Sequence, residues 1–250
     1  MLSTIARKVH VLSRGLEKPI LLKLHLQGGL PRTYEKLNNS WFKSLGIDTV
    51  LDIGANTGQF TRTILSLLPN CKIYSFEPLP DCFEKLQEFA NNHDNSVKAF
   101  NTGVGDQSGL MQFERNDASP SSSFLKMTDI HKQAFPYTEK SSTVEVKISK
   151  LDDICENLDL GISLFIKIDV QGYEDKVLKG GEKTVKKAKL VIVETSFVPL
   201  YESQPLFDDI YKVFSEWGFK CIGMIDQLSD PMTGQILQGD AIFIKGEDRV

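Results

Sequence analysis

The feature that most constrains the fold is a strand–glycine–helix block at residues 50–60, VLDIGANTGQF. An apolar run rich in strand-forming residues stops at Gly54, and a helical pattern begins a few residues later. A buried strand that passes through a tight glycine turn into a helix is typical of a parallel α/β sheet. Glycines let a ligand approach the backbone closely, and the start of the helix offers free N–H groups. The block therefore predicts an α/β fold with a ligand-binding turn.

Apolar runs and helical patterns alternate along most of the chain. We expect strands at 49–53, 72–76, 97–100, 164–169, 190–194, 220–224 and 241–245, and helices at 57–68, 81–91, 173–178 and 207–217. This alternation predicts crossover units and a mostly parallel sheet with helices on both faces. The last two strands have no helix between them. That spacing permits an antiparallel last strand without demanding one.

The chain of 250 residues suits one α/β domain with additions. Residues 1–44 are expected to form a helical extension, whose first helix shows apolar residues three and four apart between Leu2 and Leu16. Residues 45–250 are expected to form the domain itself. Residues 105–150 interrupt the alternation with glycines and a polar run, and we interpret them as an inserted hairpin or arm with a loop. Loops that long are usually functional or disordered.

Charge and cysteine content limit the kinds of binding partner and the cellular location that we expect. The net charge of −4 does not indicate a nucleic-acid-binding protein. Residues 1–30 carry five basic residues and one acidic residue, which permits contact with a membrane surface, although a solvated helix face is the favoured alternative. Four cysteines without C-x-x-C spacing, and no apolar run long enough for a signal or a membrane span, predict a reduced cytoplasmic protein. The sequence leaves the oligomeric state open and permits a homo-oligomer.

Glu77 and Pro78 stand at the end of the second expected strand, and Glu77 lies 19 residues beyond Gly58. A carboxylate at the end of the neighbouring strand can accept hydrogen bonds from both ribose hydroxyls of an adenosine. A dinucleotide-binding turn needs a middle glycine against the pyrophosphate, and the three residues between Gly54 and Gly58 contain none. The spacing argues against a nicotinamide dinucleotide and predicts an adenosyl ligand without a pyrophosphate.

Three segments carry a family resemblance: VLDIGANTGQF, SFEP and KIDVQGYEDKVLKG. Together they resemble the FkbM-type methyltransferases, within the class I group that uses S-adenosylmethionine. The resemblance covers about residues 45–245 and implies a Rossmann-like, seven-stranded, mostly parallel sheet with an antiparallel last strand. It also implies S-adenosyl-L-methionine as cofactor and a small-molecule or glycan acceptor with a free hydroxyl, which we expect on a sugar, a glycolipid or a secondary metabolite.

The resemblance also assigns cofactor-binding residues by motif. Residues of the first turn would line the methionine side, Glu77 would hold the ribose, and the segment after the third strand would meet the adenine. The set comprises Asp52, Gly54, Ala55, Asn56, Gly58, Glu77, Pro78, Val104 and Asp106. For Asp106 the alternative is that it simply starts the next turn.

Three acidic residues are expected at the reaction centre. Asp169 ends the fourth main strand, Glu194 ends the fifth, and Asp240 opens the last. If that last strand is antiparallel, all three lie at one edge of the sheet. Like-charge repulsion in such a group can make one carboxylate a usable base, or the group can hold a divalent cation. We favour the metal-free base, because no Asp-Asn pair follows the fifth strand.

The insertion contributes further candidates. Its residues 116–140 are expected to form a lid or wall over the acceptor, with Ser121–Ser123 offering hydroxyl groups, and a solvent loop is the alternative. His131 is an additional candidate base, although a loop histidine is more often solvated. The sequence leaves two alternatives to an O-methyltransferase: a nicotinamide-dependent oxidoreductase and a non-catalytic module that binds an adenosyl ligand.

Overall fold

The computed structural model describes residues 18–116, 121–138 and 141–246. The helix expected between Leu2 and Leu16 lies outside these ranges, as does most of residues 1–30 that we considered for membrane contact. None of the helices in the described ranges has the length and apolar composition that crossing a membrane requires.

The helices and strands follow the expected alternation. The described helices are α1 Pro19–Leu26, α2 Pro31–Leu37, α3 Ser40–Ser44, α4 Gln59–Leu67, α5 Pro80–Asn91, α6 Asp129–Ala134, α7 Leu151–Cys155, α8 Glu174–Gly180, α9 Glu182–Val185 and α10 Phe207–Glu216. The strands are β1 Thr49–Ile53, β2 Lys72–Phe76, β3 Val97–Phe100, β4 Gly103–Gly105, β5 Gly109–Asn116, β6 Ser141–Lys150, β7 Leu164–Ile168, β8 Leu190–Ser196, β9 Phe219–Ser229 and β10 Ile236–Lys245.

Seven strands form the main sheet in the order β3-β2-β1-β7-β8-β10-β9. Strand β1 pairs in parallel with β2 and β7, whereas β10 pairs antiparallel with both β8 and β9. The expected α/β fold with an antiparallel last strand is therefore confirmed. The physical reason is that β9 and β10 are joined by a short hairpin, which cannot make the crossover that a parallel pair needs. The start of β10 and the ends of β1, β2, β7 and β8 share one edge.

The sheet is covered on both faces, as its apolar strands require. Val50, Leu51 and Ile53 of β1 have no exposed surface. One face packs against α8, α9 and α10, and the other against α3, α4 and α5. On the second face the ring of Phe42, from α3, meets that of Phe165 edge-on at 5.8 Å. The segment before β1 thus contributes to the main core.

The interruption after β3 is a small second sheet with the strand order β4-β6-β5. Strands β5 and β6 pair antiparallel along eight residue pairs, and Ser123 in the loop between them bonds to the backbone of Gln171, beyond the end of β7. Phe124 in that loop packs edge-on against Phe113 at 4.7 Å and lies over Gly103, where a Cβ would come within 2.6 Å of its ring. The hairpin that we expected is present, and its loop faces the functional edge of the main sheet.

The turn after β1 touches the end of β7 directly. Gly54 has a φ of +84°, and a Cβ at this position would lie 1.8 Å from the carbonyl oxygen of Asp169. The N–H of Asp169 in turn donates to the carbonyl of Ile53 at 2.9 Å. Only glycine satisfies both the left-handed backbone and the close approach. The turn after β1, residues 54–58, is thereby fixed beside Asp169. We call it the ligand turn, because the sequence predicts that a ligand binds there.

Gly54→Ala is expected to lower the free energy of unfolding by about 2–4 kcal/mol, which combines left-handed strain with overpacking against the backbone. The matched control is Gly46→Ala, because Gly46 has a φ of +62° but nothing within 4 Å of an added Cβ. We expect the control to lose about 1 kcal/mol. Urea unfolding measures both variants, and equal losses would contradict the close approach.

Candidate active site

A cavity of about 760 Å³ opens at the shared edge of the main sheet. Its volume lies in the range that suits a drug-sized ligand or cofactor. Most of the residues singled out from the sequence line it: Asp52, Gly54, Ala55, Asn56, Glu77, Pro78, Val104, His131, Asp169, Glu194 and Asp240. Gly58 and Asp106 are not among the lining residues.

Glu77 connects two backbone turns at the cavity wall. Its Oε2 accepts from the N–H of Asn56 at 2.8 Å, and its Oε1 accepts from the N–H of Leu79 at 2.9 Å. A carboxylate has about four acceptor positions, so these bonds leave room for further donors. Burial raises the pKa of Glu77 to about 7, while the two backbone bonds oppose that rise. The carboxylate is held in place and can still accept from a ligand.

Asp52 is buried at the end of β1 and also reaches the cavity. Its Oδ2 accepts a hydrogen bond from the Thr61 hydroxyl at 2.6 Å, which ties the strand end to the first turn of α4. Burial raises the pKa of Asp52 to about 6, against the opposing effects of Thr61 and Lys167. Asp52 therefore both positions the ligand turn and adds a carboxylate to the cavity.

Gly58 and Asp106 have structural partners instead of cavity contacts. Gly58, with a φ of +88°, starts α4, and a Cβ there would lie 2.7 Å from the Arg62 guanidinium. The carboxylate of Asp106 pairs with the Lys179 ammonium at 2.8 Å, and this bond lowers the pKa of Asp106. Asp106 is thus anchored to α8, and the cofactor contact that we expected for it stays a prediction. Gly58 shapes the ligand turn from behind.

The three acids expected at the reaction centre come together. Carboxylate oxygens of Asp169, Glu194 and Asp240 all lie within 4.8 Å of one another. Asp240 stands directly opposite Glu194 in the antiparallel pairing of β10 with β8. Burial and the neighbouring carboxylates raise the pKa of Glu194 well above its ordinary value, and burial raises that of Asp240 to about 6. We call these three residues the acid cluster.

The acid cluster also contains a cation, Lys167, which we did not expect from the sequence. Lys167, only 5% exposed, places its Nζ 3.0 Å from Asp240 Oδ1 and 3.3 Å from Asp169 Oδ2. A signal was present, because Lys167 interrupts the apolar run of β7 two residues before Asp169. Residues two apart on a strand point to the same face.

Two glutamine side chains complete the acid cluster. The Nε2 of Gln171 donates to Asp169 Oδ1 at 2.8 Å and to Glu194 Oε2 at 2.7 Å. The Nε2 of Gln238 donates to Glu194 Oε1 at 2.7 Å. Gln171 therefore orients two of the acids from a left-handed position with a φ of 55°.

The described part of the insertion forms one wall of the cavity. Ser121, Ser122, Phe124 and His131 line it, and the Ser123 hydroxyl donates to the carbonyl of Gln171 at 2.7 Å. This bond holds the serine segment against the loop that follows β7. The segment is therefore packed against the site and is not a free solvent loop over residues 121–138.

His131 is buried within this wall. Its ring packs edge-on against Tyr201 at 5.1 Å, and its Nδ1 is a buried atom without a hydrogen-bond partner among the described residues. Burial lowers the pKa of His131 to about 4. The ring is therefore neutral near pH 7 and is a weak base.

The opposite wall comes from the start of the chain and from β9. Leu21 of α1, Thr33 of α2 and Asp226 of β9 line the cavity. The Thr33 hydroxyl donates to Asp226 Oδ2 at 2.9 Å, and Lys36 pairs with Asp226 Oδ1 at 3.0 Å. No motif indicated these residues, because only the folded chain brings α2 against β9.

Residues 52–221 match the Methyltransferase FkbM domain family. The chain belongs to the FkbM methyltransferase family. Among its relatives, 2-O-methyltransferase NoeI of Sinorhizobium fredii is 26% identical over 211 residues, which cover 82% of each chain. Hexuronic acid methyltransferase AglP of Haloferax volcanii is 31% identical over 147 residues, which cover 59% of this chain and only 55% of AglP. The family match identifies a methyltransferase and decides against a nicotinamide-dependent oxidoreductase.

Among solved structures, Methyltransferase FkbM from Methylobacillus flagellatus superimposes on this FkbM-family chain with a TM-score of 0.48 and 12% identity. The superposition covers 79% of this chain and 43% of that one.

Gln171→Glu is expected to destabilise this methyltransferase, because it replaces a donor between two acids with another acid. We expect a loss of about 1–3 kcal/mol in the free energy of unfolding at pH 8. The loss is smaller at pH 5, because protonated acids do not repel one another. The matched control is Gln87→Glu, whose amide bonds only to Asn91 on α5. Urea unfolding at both pH values tests this, and a pH-independent loss would contradict it.

Proposed function

We propose that this FkbM-family chain transfers a methyl group from S-adenosylmethionine to a hydroxyl group of a sugar-containing or secondary-metabolite acceptor. The observation that carries the proposal is the contact between the ligand turn and the acid cluster, where Gly54 meets the backbone of Asp169. One cavity thereby holds a surface for a cofactor and a group of proton acceptors. The names of NoeI and AglP, a 2-O-methyltransferase and a hexuronic acid methyltransferase, support a sugar hydroxyl as acceptor.

The residues around the turn after β1 fit the cofactor. The Glu77 carboxylate has acceptor positions left for ribose hydroxyls, and the glycine backbone at Gly54 leaves the space that a Cβ would fill. Pro78, Val104 and Phe124 offer apolar surface for an adenine. When bound, S-adenosylmethionine supplies an electrophilic methyl group on a sulfonium. The chain then has to orient the acceptor hydroxyl and remove its proton.

Asp169 is the proposed proton acceptor. Its side chain is 36% exposed, against 13% for that of Asp240, so it is the more accessible acid. Gln171 and Lys167 each bind one of its oxygens and fix the carboxylate. Asp240 and Glu194 lie deeper, where they orient Lys167 and the glutamines. We assign His131 to the acceptor wall, because a ring with a pKa of about 4 is a weak base.

Glu77→Gln is expected to weaken S-adenosylmethionine binding about 10- to 100-fold at pH 8, because it removes charge-assisted bonds to the ribose. In the unaltered protein, affinity falls as the pH drops from 8 to 6.5, since the pKa of Glu77 is about 7 and the protonated group is a poorer acceptor. The variant loses most of this pH dependence. Titration calorimetry measures both effects, with Glu84→Gln on the exposed face of α5 as the control. Unchanged affinity in Glu77→Gln would remove the ribose assignment.

Asp169→Asn is expected to lower turnover about 100- to 10,000-fold, the range that general-base catalysis spans. Its affinity for S-adenosylmethionine stays within about threefold, because cofactor recognition rests on other residues. Mass spectrometry of sugar and glycan acceptors measures the transfer, and the control is Asp159→Asn, an exposed acid paired with Lys72. Full activity in Asp169→Asn would overturn the base assignment. Cofactor binding by the unaltered protein without transfer to any acceptor would favour the non-catalytic module.

A further inference from the structure

The acid cluster contains its own cation. Three carboxylates at mutual distances below 4.8 Å form a group that could hold a divalent ion. The ammonium of Lys167 already lies among them, in contact with Asp169 and Asp240. Burial disfavours a charged lysine, but the surrounding carboxylates raise the pKa of Lys167 above its ordinary value. Lys167 therefore adds a buried positive charge beside two of the three acids.

The hydrogen bonds of the cluster also favour an internal cation. Five of its six carboxylate oxygens accept from nitrogen donors of Lys167, Gln171 and Gln238. Each of these bonds uses one lone pair of its oxygen, so fewer acceptor positions remain for a metal. A divalent ion would also be repelled by the neighbouring ammonium, in an interior where charge interactions are weakly screened. The side chains of the cluster thus satisfy one another without a metal.

We propose that Lys167 is a positioning residue for methyl transfer, which provides the positive charge that a divalent cation would otherwise provide and holds the Asp169 carboxylate towards the acceptor. The inference rests on the proposed function. It adds that Lys167 allows the Asp169 carboxylate to stay ionised, and so to act as a base, beside two other acids. Without Lys167, repulsion among the carboxylates would favour their protonated forms, which accept no proton. The charged groups that face the cluster are Asp52 from β1, Glu174 from α8, and Asp226 from β9. All three are acidic, and within the described residues the ion pairs of Asp169 and Asp240 are with Lys167.

Lys167→Met tests the proposal, with Lys72→Met as the matched control, because Lys72 pairs with Asp159 on the exposed surface. We expect Lys167→Met to lower kcat about 100-fold or more, while affinity for S-adenosylmethionine changes less than about threefold. The acidic limb of its pH–rate profile moves to higher pH. Lys167→Arg restores part of kcat, and Lys72→Met matches the unaltered protein. A chelator leaves the turnover of the unaltered protein unchanged.

If Lys167→Met does not fold, the double variant Lys167→Met/Asp240→Asn can be used in its place. It removes one positive and one negative charge, so the net charge of the acid cluster stays the same. We expect this double variant to fold, to remain slow and to keep part of the shift of the acidic limb, because Asp169 loses a cation 3.3 Å away while the loss of Asp240 relieves only some of the repulsion. Normal kcat in either variant would overturn the proposal. A lower kcat with an unmoved pH profile would also overturn it, since that is the result of a merely structural lysine.

A binding measurement with Mn²⁺ alone separates this inference from the proposed function, because it requires no methyl transfer. Electron paramagnetic resonance of the unaltered protein is expected to detect no Mn²⁺ site that depends on Glu194. A site that Glu194→Gln abolishes would overturn the inference even if the protein transfers methyl groups. Failure to bind S-adenosylmethionine would instead count against the proposed function.

Discussion

The contact between the backbone of Gly54 and the carbonyl of Asp169 is the constraint on which the site depends. It follows from the parallel pairing of β1 with β7, which runs in register from Thr49 opposite Leu164 to Ile53 opposite Ile168. Because the strands end together, the turn proposed to bind the cofactor and the acid proposed to accept a proton lie side by side. A side chain at Gly54 would separate them. The rest of the site is arranged around this junction.

Buried carboxylates are the electrostatic cost of this arrangement. The pKa values of Asp52 and Glu77 rise to about 6 and about 7, mainly because burial disfavours their charged forms. The folded state therefore binds these protons more tightly than the unfolded chain does. Their contribution to stability is greatest at low pH and is lost as the pH rises from the ordinary carboxyl values through about 7. Functional sites commonly cost stability in this way.

Much of the fold follows from the sequence because periodicity and turn chemistry are local. The strand of β1 and the glycine turn could be expected from residue order. The shared edge of Asp240 and Glu194 followed only if the last strand was antiparallel, and their direct pairing is a finding of the structure. The partners of single side chains could not be expected from residue order. Asp106 pairs with Lys179 on a distant helix, and Lys167 looks like an interruption of a strand until three acids surround it. The wall formed by α1, α2 and β9 likewise arises only from tertiary packing.

A crystal structure of the protein with S-adenosylhomocysteine, the product that transfer of the methyl group leaves behind, would show whether the proposed cofactor turn and base lie around the reacting atoms. We expect the ribose at Glu77 and the homocysteine sulfur in the cavity, close enough to Asp169 for an acceptor hydroxyl to lie between them. A base acts over roughly 3 Å or through one bridging water, so the sulfur and the carboxylate should be separated by less than about 10 Å. A larger separation, or a product bound away from Glu77, would contradict this arrangement.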